Sequence, residues 1–306
     1  MVRQTSISDS ARQTLAPYSD YLQHEADLSS ATIRNYLGDV TLFMAWYEQV
    51  WSAGQAVFSP EAIATPTLTR YRADLKQQRL KPATINRYLI SLKRYFDWAV
   101  STTRLTHDPA RPLKRVDQAP HPPRHLSDKE ESDLVAVVQH AGNLRDIALL
   151  VVMLHTGLRI GEVCALTWPD ITLQDRSGLL KVWGKGQKYR EIPLNTTVRK
   201  TLIEYQLEWL TRGKLLAGAV FVSQRTGLSL TPRGVRFMLG KYAYQARLDN
   251  FTPHDLRHRF GYRMAENVPL HRLAQIMGHD SLDTTLIYIR GTPRDLQQAV
   301  ETIAWE

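Results

Sequence analysis

The chain has 306 residues, 43% of them hydrophobic, which as a prior allows about two domains with cores of their own and excludes a disordered protein. Its 39 lysines and arginines against 30 acids leave a net charge of +9, which points to a polyanionic partner. A single cysteine, Cys164, rules out an internal disulfide or a cysteine-built zinc cluster.

Residues 1–11 are polar and are expected to be frayed. They hold no apolar core of signal-peptide length, and the longest wholly apolar run, Ala148 to Leu154, is too short for a bilayer. A cytoplasmic protein is expected. Residues 12–108 read as a helical domain. Ile33, Leu37, Val40, Met44 and Tyr47 follow helical spacing behind Ser29 and Ser30 as candidate caps. Ile85, Leu89, Leu92, Phe96 and Ala99 do the same behind Pro82, and Pro66 to Lys76 is a shorter helix between them. The two longer segments share the pattern Ala-Thr-Ile-x-x-Tyr-Leu, at 31–37 and 83–89, with Trp46 and Trp98 at matching offsets. That is one match, not a repeat array, and reads as two helices packed alike. Arg34, Asn35, Arg87 and Arg94 fall on the faces away from these apolar stripes.

Five of the fifteen prolines fall within 109–123, a density no helix interior or central strand accepts. Residues 109–124 therefore read as an extended linker, made basic by Arg111, Lys114, Arg115 and Arg124. A second domain follows over 125–306. Ser127 and Glu130 form a capping-box pattern ahead of Leu134 and Val138. The apolar run from Ile147 to Leu154 is broken by Gly157, and Arg159 opens the next helix with Glu162 three residues on, able to fix its guanidinium. Asp170 to Leu173, Gly178 to Trp183 and Tyr189 to Leu194 look like strands, with Lys185 at a hairpin tip between the last two. Thr196 to Leu210 is helical, and Thr231-Pro232 starts a helix carrying Arg233, Arg236 and Lys241.

Chemistry concentrates near the end. Thr252-Pro253 opens a helix with Leu256, Phe260 and Met264 on one stripe, and His254 and Arg257, three apart, share a face. Leu270, Leu273, Ile276 and Met277 form a further helix that stops at Gly278, leaving His279 just beyond it. HDLRH at 254–258 imitates the two-histidine zinc helix, with Asp255 in place of glutamate. A guanidinium between the two proposed ligands argues against a metal. Basic donors followed by Tyr288 suit a phosphodiester, which the donors hold and the phenol attacks. From Pro293 a last amphipathic helix carries Leu296, Val300 and Ile303 on one stripe, a face that must be buried somewhere.

Taken in order, TGLRIGE at 156–162, GKG at 184–186, HDLRH, GHDSLDTT at 278–285 and Tyr288 resemble the catalytic domain of the tyrosine recombinase (phage integrase, Xer-like) family. The resemblance covers roughly 125–290, and the front part fits the family's smaller DNA-binding domain. It implies a mainly α fold with a small antiparallel β-sheet: a helical, SAM-like core-binding domain and a mixed α/β catalytic domain. It also implies a catalytic set of Arg159, Lys185, His254, Arg257, His279 and Tyr288. Tyr288 attacks the scissile phosphate to give a 3′-phosphotyrosyl link, the arginines grip its oxygens, His254 takes the phenol proton, Lys185 protonates the leaving 5′-oxygen and His279 donates to the phosphate. Glu162 and Asp255 orient, and His258 is structural. No metal, ATP or other cofactor is expected. DNA contacts are expected from Arg34, Asn35, Arg87, Arg94, Arg233 and Arg236. The implied partners are double-stranded DNA with a paired inverted-repeat core site and three further copies of the chain, joined by exchange of residues 292–306. Accessory DNA-bending or partner recombinase proteins are possible additions. Related alternatives are a type IB topoisomerase-like relaxing enzyme and a catalytically silent DNA-binding regulator. Arg259-Phe260-Gly261 and Ile289-Arg290-Gly291 depart from the commoner pattern and leave the subfamily open.

Overall fold

The computed structural model describes residues 6–26, 28–51, 57–117, 123–184, 189–279, 281–288 and 301. The chain divides into two compact units, Met1–Pro120 and His121–Glu306. Among the described residues no helix is long and apolar enough to cross a membrane.

The first unit is helical: α1 (Asp9–His24), α2 (Ser30–Trp46), continued by a π-helical turn at Tyr47–Trp51, α3 (Thr65–Gln77) and α4 (Pro82–Ser101). The helix starts follow local chemistry. Ser29 accepts from the Thr32 backbone, and prolines sit in the first turns of α3 and α4, where their missing N–H costs nothing. The stripes of α2 and α4 close over an aromatic core in which Phe43 meets Trp46, Phe58, Tyr71 and Phe96. Trp46 and Trp98 are both buried.

Two expectations are corrected here. Of the stretch expected to be frayed, residues 1–5 lie outside the described residues, and residues 6–11 are not a loose leader. Ile7 and Ala11 are buried, α1 begins at Asp9, and Ser8 both caps it and donates to Glu48 Oε1 at 2.6 Å. The proline-rich stretch is not extended along its whole length either. Pro109 accepts from Thr65, Ala110 and Leu113 are buried in the first core, and Asn86 exchanges two hydrogen bonds with Val116. Small apolar side chains among the prolines make this possible: the stretch lacks regular structure yet still buries surface.

The second unit holds α5 (Asp128–His140), α6 (Leu144–Thr156), α7 (Ile160–Ala165), β1 (Ile171–Leu173), β2 (Gly178–Trp183), β3 (Tyr189–Pro193), α8 (Thr196–Thr211), α9 (Pro232–Gln245), α10 (Pro253–Ala265) and α11 (Leu270–Met277). Short helical turns at Leu282–Thr284 and Leu286–Tyr288 follow. The strands form one antiparallel sheet in the order β1-β2-β3, with Trp183 opposite Tyr189 on the last rung. The most apolar helix, α6, runs through the middle and packs against α5, α7, α8 and α10. The Ser127–Glu130 capping box is present, and α7 ties to β3 through side chains described below. The fold is mainly α with a small antiparallel sheet, as expected.

Candidate active site

Four helix ends converge on one spot. Gly157 ends α6 and Arg159 opens α7. Thr252 caps α10, which carries His254, Arg257 and His258 within its first two turns. Gly278 ends α11 in the left-handed region, at φ +62°, and turns the chain so that His279 points back.

Arg257 lies at the centre and is 2% exposed. Its Nη1 donates to the Gly157 carbonyl and its Nη2 to the Met277 carbonyl at 2.8 Å, so the guanidinium pins two helix ends together. Nη2 also donates to Nε2 of His279 at 2.9 Å. The His279 proton therefore sits on Nδ1, which donates to Oγ1 of Thr285 at 2.7 Å. Burial first, and the neighbouring Arg159 second, lower the Arg257 pKa to about 10, which leaves it a cation at neutral pH.

Arg159 is half exposed, and its Nη2 donates to the Gly278 carbonyl at 3.1 Å. Glu162 accepts from the Arg159 backbone N–H at 2.7 Å and, at 3.2 Å, from its Nη1. The firmer partner of Glu162 is Arg190 of β3, which donates through Nη1 and Nη2 at 3.1 and 3.0 Å. Burial alone would raise the Glu162 carboxyl, but these hydrogen bonds outweigh it and hold the group below its ordinary range.

Tyr288 is 6% exposed, and its hydroxyl is hydrogen-bonded to Nδ1 of His258 at 3.1 Å. Its ring lies edge-on to Tyr262, with centroids 5.2 Å apart, and parallel to His279 at 6.4 Å. It also lies flat on Gly261, where any Cβ would come within 2.6 Å of its ring carbons. Burial pushes the phenol up to about 12, against the lowering field of Arg257. Burial and then His254 push His258 down to about 4. His254 is exposed, its ring edge-on to His258 at 4.4 Å, and burial and Arg257 lower its pKa too.

Five of the six expected catalytic residues thus gather here: Arg159, His254, Arg257, His279 and Tyr288. Lys185 lies outside the described residues. His258, expected to be structural, instead holds the phenol, because i to i+4 spacing on α10 puts it beside His254 and over Tyr288. Arg190 is not singled out in the sequence, and Gly261 only as part of a departure from the commoner pattern. Strand alternation carried a signal for Arg190, which shares its face with buried Ile192. Of the expected DNA contacts, Arg34, Asn35, Arg94, Arg233 and Arg236 are exposed. Arg87 is committed elsewhere: its Nη1 lies 2.6 Å from both oxygens of buried Asp39, and its guanidinium covers Tyr88.

Residues 124–294 match the model of the phage integrase family, and residues 15–103 match that of the phage integrase N-terminal SAM-like domain. The tyrosine recombinase XerD of Ralstonia nicotianae is 30% identical over 92% of this chain and 91% of its own. XerD of Listeria innocua is 29% identical over 89% of this chain and 92% of its own. Among solved structures, XerH recombinase bound to a palindromic difH substrate in a post-cleavage complex superposes with a TM-score of 0.70. It has 21% identity and covers 94% of this chain and 83% of its own.

Proposed function

Because the chain belongs to the phage integrase family and is a site-specific tyrosine recombinase acting on DNA, we propose that Tyr288 is its nucleophile and Arg159 and Arg257 its phosphate clamp. The observation that carries this is the meeting of Arg257, His279 and Tyr288 around the ends of α6 and α11. Planar guanidiniums match non-bridging phosphate oxygens in pairs, and each preorganised donor of this kind lowers the barrier by roughly 3 kcal/mol.

In the reaction, Tyr288 Oη bonds to phosphorus while the bond to the 5′-oxygen breaks, leaving a 3′-phosphotyrosyl link and a free 5′-hydroxyl. Lys185 gives the proton that the 5′-oxygen takes. The phenol proton leaves toward the paired imidazoles: His258 accepts its hydrogen bond at rest, and exposed His254 takes the proton once the ring swings out. His279 gives up its contact with Arg257 and moves its proton from Nδ1 to Nε2, Thr285 then donating to Nδ1, so that Nε2–H can donate to the phosphate. The bond energy is retained in the intermediate, so the step needs neither ATP nor metal. Attack by the 5′-hydroxyl of a partner strand completes one exchange, and two exchanges pass through a Holliday junction.

The substrate we infer is duplex DNA with a paired inverted-repeat core, bound by four protomers that exchange residues 292–306, a segment of which Glu301 alone is among the described residues. DNA-bending or partner recombinase proteins would assist, in the cytoplasm. The similarity to XerH on a palindromic site supports the symmetric arrangement. Arg34, Asn35, Arg94, Arg233 and Arg236 are proposed phosphate or base contacts.

The test is a nicked suicide duplex, incubated with excess chelator and no ATP. The natural chain becomes covalently attached and Tyr288→Phe does not. An adduct with the phenylalanine variant would move the nucleophile elsewhere.

A further inference from the structure

Glu162 creates a difficulty for the phosphate clamp. It is a carboxylate 3.2 Å from Nη1 of Arg159, one of the two guanidiniums meant to face an anion. A bare carboxylate there would draw Arg159 to itself and repel the phosphate. The side chain that prevents this comes from β3.

Arg190 is 14% exposed at its side chain, and all three of its guanidinium nitrogens are engaged. Two form a fork on the two oxygens of Glu162. The third, Nε, donates to the Ile276 carbonyl at 2.8 Å, in the last turn of α11. The guanidinium also fills the space over Gly278, where a Cβ would come within 2.8 Å of Nη1. Gly278 in turn supplies the carbonyl that Arg159 Nη2 donates to, and it precedes His279. One side chain therefore balances Glu162 and seats the turn that aims two proposed catalytic residues.

We infer that Arg190 is a positioning residue for strand cleavage: by balancing Glu162 and bracing the end of α11, it leaves the Arg159 guanidinium free for the scissile phosphate. This rests on the role proposed above for Arg159. A lysine would supply the charge but not the fork, and no lysine nitrogen could reach Glu162 and the Ile276 carbonyl in the same planar geometry.

The experiment measures single-turnover cleavage of the prebound suicide duplex, with DNA affinity measured alongside. Arg190→Met keeps most of the bulk and removes the charge. Cleavage should fall by about 100-fold, the scale of a small misplacement of a catalytic group, while DNA affinity is retained. The deciding variant is Arg190→Met combined with Glu162→Gln. The amide keeps an oxygen for the Arg159 backbone N–H but no longer competes for its guanidinium. The double variant should cleave about ten times faster than Arg190→Met alone, a rescue that a merely structural arginine would not show. A double variant as slow as Arg190→Met, or slower, overturns the inference. Should Arg190→Met fail to fold, Arg190→Lys carries the test. It should cleave about tenfold slower at unchanged affinity, and a natural rate from it overturns the inference. If the natural chain forms no adduct, the recombinase chemistry itself is at fault rather than the role of Arg190.

Discussion

The hydroxyl of Tyr288 is hydrogen-bonded to Nδ1 of His258 at 3.1 Å, and the ring that carries it is almost wholly buried. The phenol is pushed up to about 12 and the imidazole down to about 4. Both shifts favour the neutral pair of phenol and imidazole over the ion pair that proton transfer would create. In this pose Tyr288 is held neutral and turned away from solvent, so attack on a phosphate begins with its release.

Acid should weaken the fold through His258. Its folded pKa of about 4 lies below the ordinary 6.5, so the buried neutral ring contributes stability that is fully present above pH 6.5. That contribution is lost as the pH falls through 4, and amounts to about 3 kcal/mol. Urea midpoints measured from pH 7.5 to 4 should fall more steeply for the natural chain than for His258→Gln. Parallel curves would mean that His258 does not titrate in the folded state as its burial requires.

Gly261→Ala should evict the Tyr288 ring, since the added Cβ would lie 2.6 Å from Cε1 and Cζ. Forced overpacking of this kind costs about 1–3 kcal/mol. The melting temperature should drop, and nitration of Tyr288, mapped by peptide mass, should speed up. An unchanged nitration rate would show that the ring tolerates the methyl group without moving.

Lys185→Ala should slow cleavage of an ordinary phosphodiester but not of one with a bridging 5′-sulfur. A thiolate leaves without a proton, so the acid is no longer needed. If sulfur brings no rescue, Lys185 does not protonate the leaving group.

Arg87 and Arg94 lie seven residues apart on α4, yet they should behave differently. Arg87→Ala leaves the carboxylate of Asp39, which is 2% exposed, with the Ser91 hydroxyl at 2.7 Å but without its cation. The loss should be about 2 kcal/mol, less than for a fully buried pair, because the Arg87 side chain is 44% exposed. Arg94→Ala should leave melting unchanged and reduce the slope of log affinity against log salt by about 0.9, one phosphate contact. Titrations at several salt concentrations, paired with melting curves, separate the two roles.

Much of this was legible in the sequence because it is local. Ser29, Ser127 and the Thr252-Pro253 pair each mark a helix start within three residues of the hydrogen bonds they make. Gly278 marks a stop by its conformation, and alternation along 178–193 marks two of the three strands. What escaped depends on partners far along the chain. Ser8 anchors the start of α1 by meeting Glu48, forty residues on. Arg190 meets Glu162 from 28 residues away, and His258 meets Tyr288 from 30. In each case the residue type fits a surface position as well as a buried one, and only packing decides. The proline-rich stretch misled for a related reason. Prolines forbid helix and central strand, but they do not forbid burial, and Leu113 takes it.

The setting of Arg257 has a thermodynamic consequence. Its direct hydrogen-bond partners among the described residues are two carbonyl oxygens and an imidazole nitrogen, none of which carries a negative charge. A sequestered guanidinium so placed has three of its five donors engaged but no direct anionic partner, and a tetrahedral oxyanion is the species that would supply one. Binding of an anion there would stabilise the folded chain, and vanadate or inorganic phosphate should make it more resistant to heat even where no DNA is present.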